Sequence, residues 1–482
     1  MVLKTGEEYI ESVRRLSPRI YINGEKVDSI LGNPILETMV KANAKVYDLA
    51  HQEPYREIMT AHSDYIGELV NRTVHICKSV EDLKKKNEMA RLVASLLGTC
   101  NYRCTGCDAL NTLASVTYEM DAKLGTSYHK RFLEFLKRVQ TEDLACTGGL
   151  TDVKGDRSKR PKEQDPDVCL RVVDKRDDGI IVRGAKVCQS GAAVAHENII
   201  LPGMTFRKGE EEYAVAFAVP NGAKGLTYIC QYTPFEAERM HAEDLGELGN
   251  PLYGVRETFL MVFDDVFIPW DRVFMCGEVE FTALMWSRFA RIHRMVCGGA
   301  CKAGFGDLMI GAAQAIAEYL GIAEASHIRE KIVEMVRLNE TVSACSIASA
   351  VKGCEEPPGS GVYLPDGLFS NISKLNCAEN FWKLMALLGD IAGGLTVTMP
   401  SERELKNPET SSYVKKYLKS AVPAETRMRM TKFIQNWVAG LHGVATWHGA
   451  GSPQAQRLGI YRAVNLEEKK RLAESLAGIK KE

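Results

Sequence analysis

The hydrophobic period of this chain switches from three-to-four to two near residue 150, and back near residue 280. That switch restricts the fold more than any single motif does. Upstream of it, apolar residues recur at helical spacing in IGELVNRTVHICKSV and RFLEFLKRVQ, so residues 5–145 read as helical. The Gly-, Pro- and charge-rich stretch GGLTDVKGDRSKRPKEQDPD then breaks the pattern. Strand-like runs follow: CLRVVDKRDDGIIVRGAKV, EEYAVAFAV, GLTYICQY and ETFLMVFDDVFI, with Asp178–Gly179 placed to turn the first pair into a hairpin. The helical period returns from about 280, most plainly in HIREKIVEMVRLNETVSACSIASAV, and GCEEPPGSGVYLPDG reads as a loop. The expected class is α+β in the order helical, β, helical, over residues 1–149, 150–279 and 280–482, with a small barrel or sandwich in the middle.

The balance of 61 basic and 62 acidic residues, a formal charge of −1, favours neither nucleic acid nor an anionic membrane as partner. No apolar run reaches the roughly 18 residues needed to span a bilayer. MVLKTGEEYIESVRRL reads as a helix start, with Thr5 and Glu8 spaced as a capping box, and not as an export signal. A cytoplasmic location is expected, with the fourteen cysteines as thiols or metal ligands and not disulfides.

Those thiols are not spread evenly. TCNYRCTGCDAL places Cys100, Cys104 and Cys107 at i, i+4 and i+7, on one face if the stretch is helical. RIHRMVCGGACKAGFGD steps His293, Cys297 and Cys301 by four, and Gly298–Gly299 could bend or bulge that helix. Two such sets could close one soft-metal or iron–sulfur site across two helices. Buried core cysteines on closely packed helices fit the same spacing. CTGC also has redox-pair spacing, but it follows a helical run and not a strand.

Several Gly-rich stretches leave backbone N–H groups open to a nucleotide or flavin: GGLTDVKGDR with Lys154 and Arg157, the strand end at Gln189, Ser190 and Gly191, IAGGLTVTMPSE, and HGAGSPQAQR. None matches a dinucleotide fingerprint or a P-loop, and ordinary turns look the same. No HExxH or GxSxG stretch is present, and His196–Glu197 lacks a second histidine. Glu257, just before a strand, could be a base or a solvated strand edge.

Taken together, EEYIESVRRL, TCNYRC, GTSYHK, LTDVKGDR, DDGIIVRGAK, FDDVFIPWDRVF, RFARIHR, CKAGFGD, IAGGLTVTMPSE and HGAGSPQAQR run collinearly along nearly the whole chain. This string resembles the 4-hydroxybutyryl-CoA dehydratase/vinylacetyl-CoA isomerase family. That family shares a flavin superfamily with the 4-hydroxyphenylacetate 3-monooxygenases and acyl-CoA dehydrogenases. The resemblance implies an acyl-CoA dehydrogenase-like fold: an N-terminal helical domain, a middle β-barrel and a C-terminal helical bundle. It also implies a homotetramer with FAD between domains and subunits.

By the same resemblance a [4Fe–4S] cluster is held by Cys100, Cys104, His293 and Cys301, with Cys107 outside the pattern. FAD falls on Leu150, Thr151, Asp152, Asp156, Arg157, Gln189, Ser190, Gly191, Gly393, Gly394, His448 and Gly449. The implied substrate is an acyl-CoA thioester, which loses water from a 4-hydroxyacyl chain by a flavin radical route while the cluster acts as Lewis acid on the hydroxyl. His293, Glu257 and Lys302 are the implied catalytic residues.

The sequence departs from the family pattern in places. His293 and Cys301 are separated by seven residues where the pattern has six, and Cys297 competes as ligand. A tyrosine one turn after the histidine and a glutamate before HGAGSPQAQ are absent. A monooxygenase or acyl-CoA dehydrogenase of the same fold is the alternative activity, and a non-catalytic redox or binding protein is a third.

Overall fold

A computed structural model of the chain describes residues 2–231, 249–254, 256–440 and 442–479. The expected strands form where the period is two. Arg171–Lys175 and Gly179–Ser190 pair as the hairpin turned at Asp178, and Thr258–Pro269 and Leu226–Gln231 extend the same sheet. Tyr232, which closes the GLTYICQY run, lies outside the described residues. Val215–Pro220 belongs to a second sheet with Val273–Cys276, Glu197–Ile200 and Cys146–Gly149. The two sheets share one core, in which Phe217 meets Phe263 edge-on with ring centroids 6.0 Å apart.

Three expectations are corrected. The strands form two sheets with open edges, six- and four-stranded, and not a closed barrel. Glu25–Val27 at one edge of the larger sheet is three residues long and largely exposed, so it caps that edge without closing a ring. Second, the first 149 residues are not wholly helical. Arg19–Ile22 and Glu25–Val27 join the larger sheet through an Asn23–Gly24 turn in which both residues have positive φ, 52° and 83°. Asn-Gly between apolar runs is the strongest short hairpin signal, and IYINGEKV carries it. Third, IGELVNRTVHICKSV is not a helix. It contributes strand Glu68–Asn71, paired with Thr60–Ser63, and a short 3-10 turn, Arg72–Val74. Residues 70–77 of this segment are buried throughout, and an all-round buried run carries no period to read. A smaller difference is that GCEEPPGSGVYLPDG contains a two-residue hairpin, Cys354–Glu355 with Tyr363–Leu364.

The helical parts follow the reading more closely. Thr5 and Glu8 form the capping box: Thr5 Oγ1 accepts from the Glu8 N–H at 3.2 Å and Glu8 Oε2 accepts from the Thr5 N–H at 2.7 Å. Tyr128–Thr141 and Ser326–Val351 are the expected amphipathic helices. Cys301–Leu320 lies close against Val80–Leu97, because a Cβ at Gly304 would come 2.4 Å from the Arg91 carbonyl. Arg91 also grips Asp307 with two hydrogen bonds of 2.8 and 2.7 Å. Among the described residues no helix is long and apolar enough to cross a membrane.

His196 is a structural latch. Its Nδ1 accepts the Ala145 N–H at 2.8 Å, so Nε2 carries the proton and donates to Ser12 Oγ at 2.8 Å. Burial, assisted by Lys4 and Arg103, lowers its pKa to about 3. The unfolded chain takes up a proton near 6.5 and the folded one does not, so stability falls as pH drops from about 6.5 towards 3. The loss at pH 5 is about 2 kcal/mol for this group. His196→Asn, which keeps an acceptor for Ala145, should weaken the fold at pH 7. It should also remove about 2 kcal/mol of the further loss between pH 7 and 5, read by urea unfolding at both values. An unaltered pH slope would assign the effect elsewhere.

Candidate functional site: a thiol and imidazole pocket

The TCNYRC segment is a turn, which changes the helical-face reading of its cysteines. Gly98, with φ 62°, ends the Val80–Leu97 helix. Asn101 then folds the chain back: its side chain accepts the Arg103 N–H at 3.2 Å and its carbonyl accepts the Cys104 N–H at 3.1 Å. Helix Cys104–Leu124 starts there, so Cys104 is its first residue and Cys100 lies in the turn before it. Their thiols come within hydrogen-bonding reach of each other. Cys107, three residues into the helix, points elsewhere and donates to the Arg72 carbonyl at 3.5 Å. Gly106 lets the helix start sit on the strand Cys146–Gly149, since a Cβ there would lie 2.1 Å from the Cys146 carbonyl oxygen.

The second set is carried on one long helix with a widened turn. Helix Val279–His293 passes into a π-helix, Arg294–Ala300, and continues as Cys301–Leu320. The Cys301 amide donates to the Val296 carbonyl, five residues back. The bulge expected at Gly298–Gly299 is this turn. It presses on its neighbours: a Cβ at Gly298 would lie 2.7 Å from Lys374 Cδ, and one at Gly299 would lie 2.6 Å from Ser373 Oγ. The turn brings Cys297 to Cys104, Cys301 and His293, all within hydrogen-bonding reach. Four thiols and one imidazole therefore meet in one buried pocket. Among the described residues no three His, Cys, Asp or Glu side chains are spaced to hold a single metal ion.

Charge in the pocket is strongly organised. Hydrogen bonds from Cys104 and Cys301, with Lys302 and His293 nearby, hold the Cys297 thiol well below its ordinary value. Cys104, hydrogen-bonded to Cys100 and Cys297, is pushed up and stays protonated. Lys302 is buried, with Nζ 3.9 Å from Cys297 Sγ and 3.8 Å from Cys301 Sγ. Burial would lower its pKa, but the two sulfurs outweigh it. Burial would likewise lower His293, yet Cys297 and Asp108 raise it to about 10. Its Nδ1 donates to Asp108 Oδ2 at 2.8 Å, and Lys86 Nζ holds Asp108 Oδ1 at 2.9 Å. Nε2 is therefore the atom left for the pocket.

Of the other expected site residues, some come to this pocket and some do not. Ser190 Oγ lies 3.2 Å from Arg256 Nε, and Arg256 faces Cys100, Cys104 and Cys297. Gly191, φ 78°, lets the strand end touch Tyr102, since a Cβ there would meet Tyr102 Cβ at 2.5 Å. Glu257 is fully buried, accepts from the Cys230 thiol at 3.8 Å, and its backbone hydrogen-bonds the Tyr102 side chain. Gly449 approaches Arg256 Nη1, and Arg294 Nε ties the same turn by donating to the Ala450 carbonyl at 3.2 Å. His448 itself is exposed. Gln189 is buried at the strand end, its Nε2 donating to the Val187 carbonyl at 2.6 Å.

Leu150 and Thr151 are half-buried, their carbonyls accepting from Lys186 Nζ at 3.1 Å and the Val187 N–H at 2.9 Å. The Asp152 carboxylate is spent inside the protein, on Lys186 Nζ at 2.6 Å and the Gly203 N–H at 3.1 Å. Asp156, Arg157, Gly393 and Gly394 are exposed and outside the pocket. Asp108, Arg256 and Tyr102 were missed. No spacing rule marks a carboxylate that serves a histidine 185 residues away.

Models of the 4-hydroxyphenylacetate 3-hydroxylase N-terminal and C-terminal regions match residues 5–275 and 282–478. The chain is 43% identical to 4-hydroxybutyryl-CoA dehydratase/vinylacetyl-CoA Δ-isomerase of Clostridium aminobutyricum, over 99% of this chain and 100% of that protein. The chain belongs to the 4-hydroxybutyryl-CoA dehydratase/vinylacetyl-CoA isomerase family. An oxygen-tolerant archaeal member of that family, from N. maritimus, superposes with TM-score 0.96 at 42% identity, covering 100% of this chain and 96% of that one. The oxygenase component of 4-hydroxyphenylacetate 3-monooxygenase, solved with FAD and 4-hydroxyphenylacetate, is more distant at TM-score 0.86 and 25% identity, covering 99% and 100%. Butyryl-CoA dehydrogenase of Megasphaera elsdenii, at TM-score 0.51 and 16% identity over 91% and 99% of the two chains, shares the fold.

Gly106→Ala tests the seating of the cysteine-bearing helix in this family member. The added methyl meets backbone and not a flexible side chain. It should cost about 1–3 kcal/mol, read as a lower unfolding midpoint, while Gly311→Ala, on an open helix face, serves as comparison.

Proposed function

We propose that this chain dehydrates 4-hydroxybutyryl-CoA, or a close hydroxyacyl-CoA, to an unsaturated acyl-CoA, and isomerises vinylacetyl-CoA to crotonyl-CoA at the same site. The observation that carries this is the pocket in which Cys100, Cys104, Cys301 and His293 converge from two ends of the chain. A flavin monooxygenase of this fold needs no such donor set.

The donors fit a [4Fe–4S] cluster in number and softness. Cys100, Cys104 and Cys301 would supply thiolates and His293 its Nε2, with the thiols parting from one another to admit it. Its fixed orientation is the arrangement usual for metal-bound imidazole, with a carboxylate on the other ring nitrogen. When bound, the cluster would supply a Lewis acid for the leaving hydroxyl. The hydroxyl of Ser190, the Gln189 amide and the Arg256 guanidinium offer polar groups at the pocket rim for the edge of a flavin ring. FAD, when bound there, would supply one-electron chemistry.

The remaining work falls to the chain. The proton at C2 of a thioester is acidic, whereas that at C3 is not, so a base must act first at C2. Glu257, and His293 Nε2 when it is not bound to the cluster, are the groups we assign to take protons. Asp108 holds the imidazole in one orientation, and Lys302 offsets negative charge gathered on sulfur and substrate. Burial of Glu257 and the thiols excludes water from reactive species. Gly393, Gly394 and His448 are exposed in the single chain, which supports a flavin site completed by another subunit in a homotetramer. The exposed Leu472 and Leu476 of the Leu466–Leu476 helix also suit assembly.

Anaerobically purified protein should carry FAD and about four iron per chain, and should turn over 4-hydroxybutyryl-CoA. A yellow, iron-free protein that hydroxylates phenols instead would reject this reading. Cys104→Ser should lose iron and the broad visible absorbance while retaining FAD. Asp108→Asn should lower turnover or metal affinity roughly 10–100-fold, the usual effect of removing the partner of a ligating histidine.

A further inference from the structure

Five donors meet in a pocket where a cubane offers four corners. Cys297 is the one left over, yet it is central: it reaches Cys104, Cys301 and His293, and Lys302 Nζ lies 3.9 Å from its sulfur. It is also the donor carried on the π-turn, between the other two on that helix. The backbone of that turn is clamped, because Gly298 and Gly299 press on Lys374, Ser373 and Ser346. Movement of the Cys297 sulfur must therefore come from rotation of its side chain. His293 is clamped as well, through Asp108 and Lys86, and so remains in place whether or not it is bound to iron.

We propose, on the cluster reading above, that Cys297 is an exchangeable ligand which replaces His293 at one iron when substrate is absent. The iron–imidazole bond breaks and an iron–thiolate bond forms. The proton leaves the Cys297 thiol and is taken up by His293, whose other ring nitrogen stays on Asp108. No electron moves, and no further reactant is required. The thiolate is the softer ligand for iron, which favours the exchange. Its extra negative charge faces two cations, Lys302 and Arg256. Substrate reverses the exchange: the iron–thiolate bond breaks, Cys297 takes its proton back from His293, and the imidazole, the more weakly held ligand, returns to the corner that the substrate hydroxyl approaches. The four-thiolate form leaves no weakly held corner for oxygen to attack, so the resting enzyme is protected.

The experiment compares anaerobically prepared holoenzyme with Cys297→Ala, His293→Ala and the double variant. Iron and FAD content, the electron paramagnetic resonance signal of the reduced cluster, and the rate of visible bleaching in air are read for each. His293→Ala should keep nearly full iron, because Cys297 takes the corner, whereas the double variant should lose it. Cys297→Ala should keep iron through His293 but bleach in air roughly tenfold faster than the parent. The parent signal should change when 4-hydroxybutyryl-CoA is added, and the Cys297→Ala signal should start in the altered form. Loss of iron from His293→Ala equal to that from the double variant, or bleaching of Cys297→Ala at the parent rate, would overturn the exchange and leave the cluster reading intact. An iron-free parent would overturn both.

Discussion

Lys86, Asp108 and His293 form a line of charge through the interior, and the pocket depends on it. Each residue comes from a different helix, Val80–Leu97, Cys104–Leu124 and Val279–His293, and the Asp108 side chain is wholly buried. A lone carboxylate at that depth would be costly, and removing either cation would leave it unpaired. Each of its oxygens therefore fixes a neighbour: one the lysine of the first helix, the other the imidazole of the third. The first cysteine pair flanks the start of the middle helix, and the second follows the end of the third. One ion-paired line thus sets the relative position of both halves of the donor set.

Around it, close approach is obtained by removing side chains. Gly106, Gly298, Gly299 and Gly304 each sit where a methyl would collide with a neighbouring segment. The thiols reach one another because backbones do. This differs from the polar groups Ser190, Gln189 and Arg256, which stand on a strand end and on the segment leading into a strand.

Much of this was legible in the chain. The period switch placed the β region, Asp178–Gly179 turned its first hairpin, and the two soft-ligand clusters marked both halves of the pocket. The failures have physical causes. Cys100, Cys104 and Cys107 share a helical spacing, but Gly98 and Asn101 make the first part a turn, so Cys107 faces Arg72 instead. Residues 70–77 are buried on every side and showed no strand period. The Asn23–Gly24 hairpin is legible in IYINGEKV by its Asn-Gly turn. Asp152 looked available in a loop, and its pairing with Lys186 depends on two strands meeting. Asp108 and Arg256 could not be found from spacing, because their roles exist only once distant helices and strands have come together.

The π-turn has a consequence for how such a site can vary. One extra residue in a straight α-helix rotates everything after it by about 100°. Such a twist would swing Gly304 off the Arg91 backbone and Asp307 away from the Arg91 guanidinium. A wide turn takes up that residue locally, and the helix beyond it keeps its phase. The seven residues between His293 and Cys301 are the residues of this wide turn. Length can therefore change between His293 and Cys301 without disturbing the packing that either of them relies on.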